Sequence, residues 1–160
     1  AEDDEAQGWR DLESHHLTEH DTVVGIAASG RTPYVVGALN QARKHGLLTG
    51  CVTCNPDSLV VGACDHPIVA VTGPEFVTGS TRMKAGTATK LLLNRLTTAA
   101  MIRLGHVQGN RMVDMQLSNA KLVERGSRMV SDATGLNMAE AEALLLSHGS
   151  VRAAVAAHKD

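Results

Sequence analysis

Apolar and polar positions fall into short blocks along this chain. From Glu2 to Glu13 the positions are mostly polar, with a weak helical period and acidic residues crowded at the start, where a helix dipole favours them. His15, His16 and His20 follow in a polar connection. Thr22 to Ala27 is then apolar on both faces, the pattern of a central strand in a parallel sheet. Pro33 to Gly46 switches to helical spacing. Val35, Val36, Leu39 and Ala42 share a face, Arg43, Lys44 and His45 gather at the carboxyl end, and Gly46 stops the run. Leu47 to Thr53 is a second strand-length apolar run, closed by the turn residues Asn55-Pro56-Asp57. Ser58 to Cys64 reads as a short helix, Asp65-His66-Pro67 as a turn, and Ile68 to Val71 as a third strand. Strand and helix alternate, which predicts right-handed crossovers and a parallel sheet with helices on both faces.

The second half reads as helical. Gly73 to Lys84 is a polar loop feeding a helix from about Thr81 to Leu104, with Leu91, Leu92, Leu93, Leu96, Ala99, Ala100 and Ile102 available to pack. Asp114 to Thr134 reads as one helix, broken by Gly135-Leu136-Asn137. Met138 to Ser147 and Val151 to His158 complete the chain as two short helices.

Composition narrows the classes. Apolar residues make up 43% and aromatic residues 2%, so the core must be built from Ala, Val, Leu, Ile and Met. The formal net charge is −2 with scattered basic residues, which argues against a nucleic-acid surface or a polybasic membrane anchor. No apolar run approaches the roughly 18–20 residues that span a bilayer. Three cysteines give no disulfide framework, and no signal peptide is visible, so a cytoplasmic location is expected. The chain opens on Ala1-Glu2-Asp3-Asp4-Glu5 without Met, as the middle of a longer protein would.

Two stretches carry candidate chemistry. Ser29-Gly30-Arg31-Thr32 joins the first strand to the first long helix at a strand's carboxyl end, where ligands bind in such sheets. Gly30 permits a tight bend, Thr32 stands at the N-cap and Pro33 at the first helical position. Free amides, two hydroxyls and the positive helix end would converge on an anion, most often a phosphate. The competing reading is a turn whose Ser and Thr only cap the helix. The second stretch is Gly73 to Lys84. Ser80, Thr81 and nearby amides offer another anion site, Arg82 and Lys84 add charge, and Glu75 is a candidate acid or base. Its competing reading is a capped helix with a solvated first turn. Neither the histidine cluster nor Cys51-Val-Thr-Cys54 with Cys64 and His66 is expected to bind metal. The histidines lack partners at a repeating ligand spacing, and thiols three apart on a strand point to opposite faces.

These stretches resemble the bacterial N-acetylmuramic acid 6-phosphate etherases, which contain a sugar-isomerase (SIS) phosphosugar-binding domain. The matching residues are Ala1-Glu2-Asp3, Val24 to Val35, Cys54-Asn55-Pro56 and Thr78 to Ala88. Gly109-Asn110, Met112-Val113-Asp114 and Ser118 to Leu122 extend the likeness downstream. The resemblance implies an α/β fold, an SIS-type three-layer sandwich with a parallel sheet that is incomplete here, followed by a small C-terminal helical region. Residues 1–105 would form a partial SIS domain lacking its first strand, and 106–160 a helical region that is ubiquitin-associated-like at its end. It also implies removal of D-lactate from C3 of the sugar by elimination and hydration, in cell-wall sugar recycling, with no metal or organic cofactor. The partner would be a phosphorylated amino sugar, with no nucleic acid and no membrane.

Carried over by residue, one family glutamate falls on Glu2, the expected base at C2. The other belongs to a segment upstream of Ala1, and Glu75 is the reserve acid or base. Ser29 and Thr32 match the phosphate-contacting hydroxyls, with Gly30 and Arg31 beside them, and Ser80, Thr81 and Lys84 as further contributors. An exposed sheet edge is expected where the missing strand should pair. SIS domains commonly pair, so the resemblance implies a homodimer. Two other readings stand beside the etherase. One is a non-catalytic phosphosugar sensor like the glucokinase regulatory relatives. The other is an SIS isomerase, which would need a histidine base that no matching motif supplies.

Overall fold

The computed structural model describes residues 1–159, which divide into two compact units, 1–95 and 96–159. In the first, β1 (Thr22–Ile26), β2 (Leu48–Thr53) and β3 (His66–Val69) form a parallel sheet in the order β1-β2-β3. Thr22 pairs with Leu48 and Ile26 with Val52, while Gly50 pairs with His66 and Thr53 with Val69. The expected α/β architecture is present. The helices α2 (Pro33–Lys44) and α3 (Leu59–Ala63) carry the chain from β1 to β2 and from β2 to β3.

Three expectations need correction. The central strand is β2, buried from Thr49 to Thr53, whereas β1 lies at an edge with Ile26 46% exposed. A short apolar run looks the same whether a neighbouring strand lies on one side or both. The β3 strand starts at His66, so Pro67 sits inside a strand rather than in a turn. An edge strand tolerates this because its outward N–H has no ladder to join. Third, α2 and α3 pack against each other on the same face instead of dividing between two. Two right-handed crossovers that advance in one direction place both helices on one side. Beneath them lie Ala27, Leu39, Cys51, Val60, Ala63 and Cys64, with Val23, Val35 and Val36 packed alongside. Thr22, Ile26 and Leu48, on the alternate pleat, stay exposed.

The sheet's far end is pinned by Thr49. Its hydroxyl donates to Asp65 Oδ2 at 2.6 Å, and Asp65 in turn meets Arg43 of α2 at 2.9 Å. Burial pushes the Cys64 thiol up to about 12, helped by the neighbouring Cys51 thiol. Both are buried as small core residues, and the Cys64 thiol stays protonated at neutral pH.

The helix α4 (Lys84–Arg103) begins in the first unit and ends in the second. It starts three residues later than expected, and of the four leucines expected to pack Leu92 and Leu93 are half-buried while Leu91 and Leu96 are exposed. Ala85 is its single buried residue, while Leu91, Leu96, Met101 and Ile102 are exposed.

In the second unit, the helix expected from Asp114 begins only at α5 (Ala120–Thr134). Upstream, β4 (Val107–Gln108) and β5 (Arg111–Met112) form an antiparallel hairpin around Gly109-Asn110. The side chain of Asn119 caps α5 by accepting from Leu122 N at 3.0 Å. The helix α6 (Met138–His148) opens on a capping box between Asn137 and Glu140, and α7 (Val151–Lys159) closes the bundle. Val130, Ala141, Leu145 and Ala154 form its fully buried centre.

Arg152 of α7 and His106 both bond Asp114, at 2.9 and 3.1 Å, and Arg152 also reaches the Gly105 carbonyl. The Arg152 guanidinium first, then His106, holds the Asp114 carboxyl below the usual aspartate range. A depressed folded value stabilises the fold above the ordinary value, about 3.9, and that contribution is lost as pH falls through the folded value. Acidification below about pH 4 should therefore weaken this unit, and Asp114→Asn should reduce that acid sensitivity. Thermal melts between neutral and acid pH check it. Wild-type and variant curves that stay parallel throughout would remove Asp114 from the account.

Candidate functional site

The Ser29–Thr32 loop leaves β1 at its carboxyl end. Gly30 turns the chain at φ +67°. Its N–H returns to Ala27 O at 3.0 Å, and its carbonyl accepts from Val60 N at 3.1 Å. A side chain here would overlap the Ser58 hydroxyl and Cβ and lie 2.8 Å from Thr53 Oγ1. The Asn55 amide steadies the loop by donating to Ser29 O at 3.4 Å. The loop is thus wedged between β2 and α3 by backbone bonds, with the Ser29 and Arg31 side chains outward.

This geometry separates the two readings of the loop. Thr32 occupies the N-cap position of α2, but its hydroxyl makes no capping bond. The pure capping reading therefore fails for Thr32. The positive helix end, however, is not on offer. Pro33 has no N–H, Tyr34 N donates to Glu2 O at 3.1 Å, and Val35 N closes on Thr32 O at 3.1 Å. The open amides belong to the loop instead. Those of Ser29 and Thr32 have no partner among the described residues, and Arg31 N reaches only the Ser29 hydroxyl at 3.4 Å. Successive loop N–H groups beside a left-handed glycine form the kind of concavity that binds anions.

The Tyr34–Glu2 bond also brings the chain's first residues to this place. Glu2 lies against the start of α2, two residues past Thr32, with its carboxylate exposed. The arm behind it packs on α2 through α1 (Gln7–Glu13), held by the Tyr34 hydroxyl donating to Asp11 Oδ2 at 2.9 Å. Sequence reasoning offered no local signal for this apposition, because it depends on a carbonyl meeting an amide across the fold.

The second candidate stretch is arranged differently. Glu75 accepts from Lys84 N and Ala85 N, at 3.1 and 3.0 Å, through both carboxylate oxygens. Those two amides, Ala85 first, lower its pKa. Glu75 is an ionised cap on α4, so the α4 amides expected to be free are taken. The Lys84 ammonium donates to Pro74 O at 2.9 Å. The Ser80 and Thr81 hydroxyls have no partner among the described residues. Cys54 links the two stretches, its N–H on Ala28 O at 3.0 Å and its thiol 3.9 Å from Ala85 O. The start of α4 therefore stands at the same end of the sheet as the Ser29–Thr32 loop.

Among the described residues, no group of three or more His, Cys, Asp or Glu is placed to hold a metal ion. A cleft of about 450 Å³ opens beside Trp9, His16 and His45, and one of about 510 Å³ beside Arg111, Met129 and Arg152. Neither is lined by the Ser29–Thr32 loop.

The family model for the SIS domain matches residues 5–99, and that for the C-terminal lid domain of glucokinase regulatory protein matches residues 109–155. Curated relatives are named N-acetylmuramic acid 6-phosphate etherase. The one from Bacteroides thetaiotaomicron is 57% identical over 159 residues, covering 99% of this chain and 57% of its own length. The one from Christiangramia forsetii is 57% identical, covering 100% of this chain and 58% of its own length. The chain thus spans little more than half the length of these relatives. Among solved structures, a Bacillus subtilis protein named as a candidate phosphosugar isomerase matches with TM-score 0.41 and 19% identity, covering 81% of this chain and 39% of that one.

Proposed function

This chain belongs to the SIS-domain family, and we propose that it carries the phosphosugar site and one acid–base group of an N-acetylmuramic acid 6-phosphate etherase. The observation that supports this most is the Tyr34 N to Glu2 O bond, 3.1 Å, which ties the exposed Glu2 to the start of α2, where the Ser29–Thr32 loop ends. In this reading the Ser29 and Thr32 hydroxyls and the loop amides, beside Gly30 and Arg31, hold the sugar phosphate. Anchoring the substrate at its far end fixes the reacting carbons near Glu2. The Glu2 carboxylate takes the C2 proton of the open-chain sugar. The C3–O bond then breaks, and lactate leaves with a proton from a second acid. Water adds across the resulting double bond, hydroxyl to C3 and proton to C2, giving N-acetylglucosamine 6-phosphate and D-lactate. Glu75 is a poor choice for the second acid because both its oxygens already accept amides. We assign that role to the glutamate expected upstream of Ala1.

Ser80 and Thr81 are the further sugar contacts, with Lys84 lending charge. Residues 1–105 act as the SIS part and 106–160 as the helical part. The exposed Leu91, Leu96, Met101 and Ile102 on α4 are consistent with a homodimer or with packing against further chain. In this reading the protein acts in cytoplasmic recycling of cell-wall amino sugar.

Lactate release from N-acetylmuramic acid 6-phosphate tests this reading, with the 160-residue chain alone and with an upstream segment from the relatives joined to it. Activity from the joined form only is the expected result. Activity from the chain alone would return Glu75 to the second acid–base role. Phosphosugar binding without lactate release from either form would favour a regulatory module.

A further inference from the structure

We propose that Tyr34 is a positioning residue for Glu2, clamping the amino-terminal arm to α2 at two points at once. The inference rests on the reading of Glu2 as the C2 base. The main-chain N–H of Tyr34 holds the Glu2 carbonyl at 3.1 Å, and its phenol donates to Asp11 Oδ2 at 2.9 Å. One residue thereby grips both the carboxylate-bearing end of the arm and the helix behind it. Hydrogen bonds from Gln7 and then Tyr34 lower the Asp11 pKa, so Asp11 meets the phenol as a carboxylate.

The rest of the arm is fitted to the same helix. A side chain at Gly37 would overlap the Glu5 carbonyl, and one at Gly8 would overlap the Tyr34 carbonyl. The arm therefore lies on α2 backbone to backbone, at a distance only glycine allows. Trp9 stacks on His45 at the far end of α2, ring centroids 4.3 Å apart. Ala1 to Ala6 are exposed and non-helical, and such terminal segments fray unless tied down. A catalytic carboxylate must be held within about 0.5 Å of its working position. The double grip of Tyr34 supplies that restraint.

The test uses the chain joined to an upstream segment from the relatives, with five variants: Tyr34→Phe, Asp11→Asn, the two combined, Gly37→Ala and Glu2→Gln. Tyr34→Phe keeps the ring and the main-chain bond but releases Asp11. Its expected effect is a kcat lower by about 10-fold, with KM within about twofold, because misplacement of a reacting group lowers turnover rather than phosphate binding. Tyr34→Phe combined with Asp11→Asn should be no worse than the poorer single variant, since both break one contact. Gly37→Ala is the second handle. Within a helix that change ordinarily favours folding, so α2 persists while the arm is displaced. The expected result is lower kcat, retained phosphosugar affinity and a red shift from Trp9, the one tryptophan of the chain. A normal kcat in Tyr34→Phe and Gly37→Ala, with Glu2→Gln inactive, overturns the positioning role alone. A normal kcat in Glu2→Gln overturns the underlying reading instead.

Discussion

Glu2→Gln in the chain joined to an upstream segment from the relatives is expected, on the proposed etherase reading, to lower kcat for lactate release by about 10³-fold, within the 10²–10⁴ range of a positioned general base. Phosphosugar affinity should change by no more than about threefold. The asymmetry follows from where Glu2 is held. Its tie to α2 runs through the carbonyl, which accepts from Tyr34 N at 3.1 Å, and a glutamine keeps that carbonyl. The Ser29–Thr32 loop is fixed separately, by Val60, Asn55 and the Gly30 turn, none of which involves the Glu2 side chain. The substitution therefore removes a proton acceptor and leaves the arm docked and the loop intact. Two measurements read this out. One is lactate release. The other is exchange of the C2 proton with heavy water, which isolates the step assigned to Glu2 and should fall in parallel. If lactate release collapsed while C2 exchange persisted, Glu2 would be acting on the leaving group, and the two carboxyl roles would be reversed. Loss of binding in step with loss of turnover would instead make Glu2 a substrate ligand.

Much of this site could be read from the order of residues, and the parts that could not share a cause. The run from Thr22 through Gly46 contains its own punctuation: an apolar strand, a glycine, a threonine at the N-cap, a proline at the first helical turn, and basic residues before a glycine. The structure reproduces that order with α2 at Pro33–Lys44. The hairpin at Val107–Met112 had an equally local signal, because Gly109-Asn110 between short strands is a two-residue turn, and its significance was masked by the helical pattern downstream. Other features have no local signal. That β1 is an edge strand depends on what lies beside it, not on its own apolar residues. That Glu75 caps α4 depends on a loop folding back across nine positions to meet two amides. A lone glutamate in a polar loop looks equally suited to catalysis or to capping. The free Thr32 hydroxyl is a subtler case. The sequence placed it correctly at the N-cap, and only the backbone path shows that it makes no cap bond.

The second large effect is expected at Gly30. Gly30→Ala should destabilise the first unit by about 3 kcal/mol, combining ~1–2 kcal/mol for a left-handed non-glycine residue with ~1–3 kcal/mol for overpacking. The first part follows from φ +67°, and the second from Ser58 and Thr53, which are 8% and 0% exposed and cannot swing aside into solvent. Relief can come only by moving the loop outward, which pulls Gly30 O from Val60 N and displaces the Ser29, Arg31 and Thr32 amides. Phosphosugar affinity should therefore fall by 100-fold or more, estimated as several charge-assisted bonds lost together at about 1.5–3 kcal/mol each. Calorimetric titration with the substrate phosphosugar, beside a thermal melt, measures both consequences. Adding Ser58→Gly separates the two causes. It empties the space that the new methyl would enter, leaving the φ penalty and the 2.8 Å approach to Thr53 Oγ1. The double variant should recover part of the affinity while remaining less stable than the wild type. An equal loss of affinity in single and double variants would mean that backbone conformation, not crowding by Ser58, sets the loop. Wild-type affinity in Gly30→Ala itself would show that phosphate is held elsewhere, with Ser80 and Thr81 at the start of α4 the next residues to test.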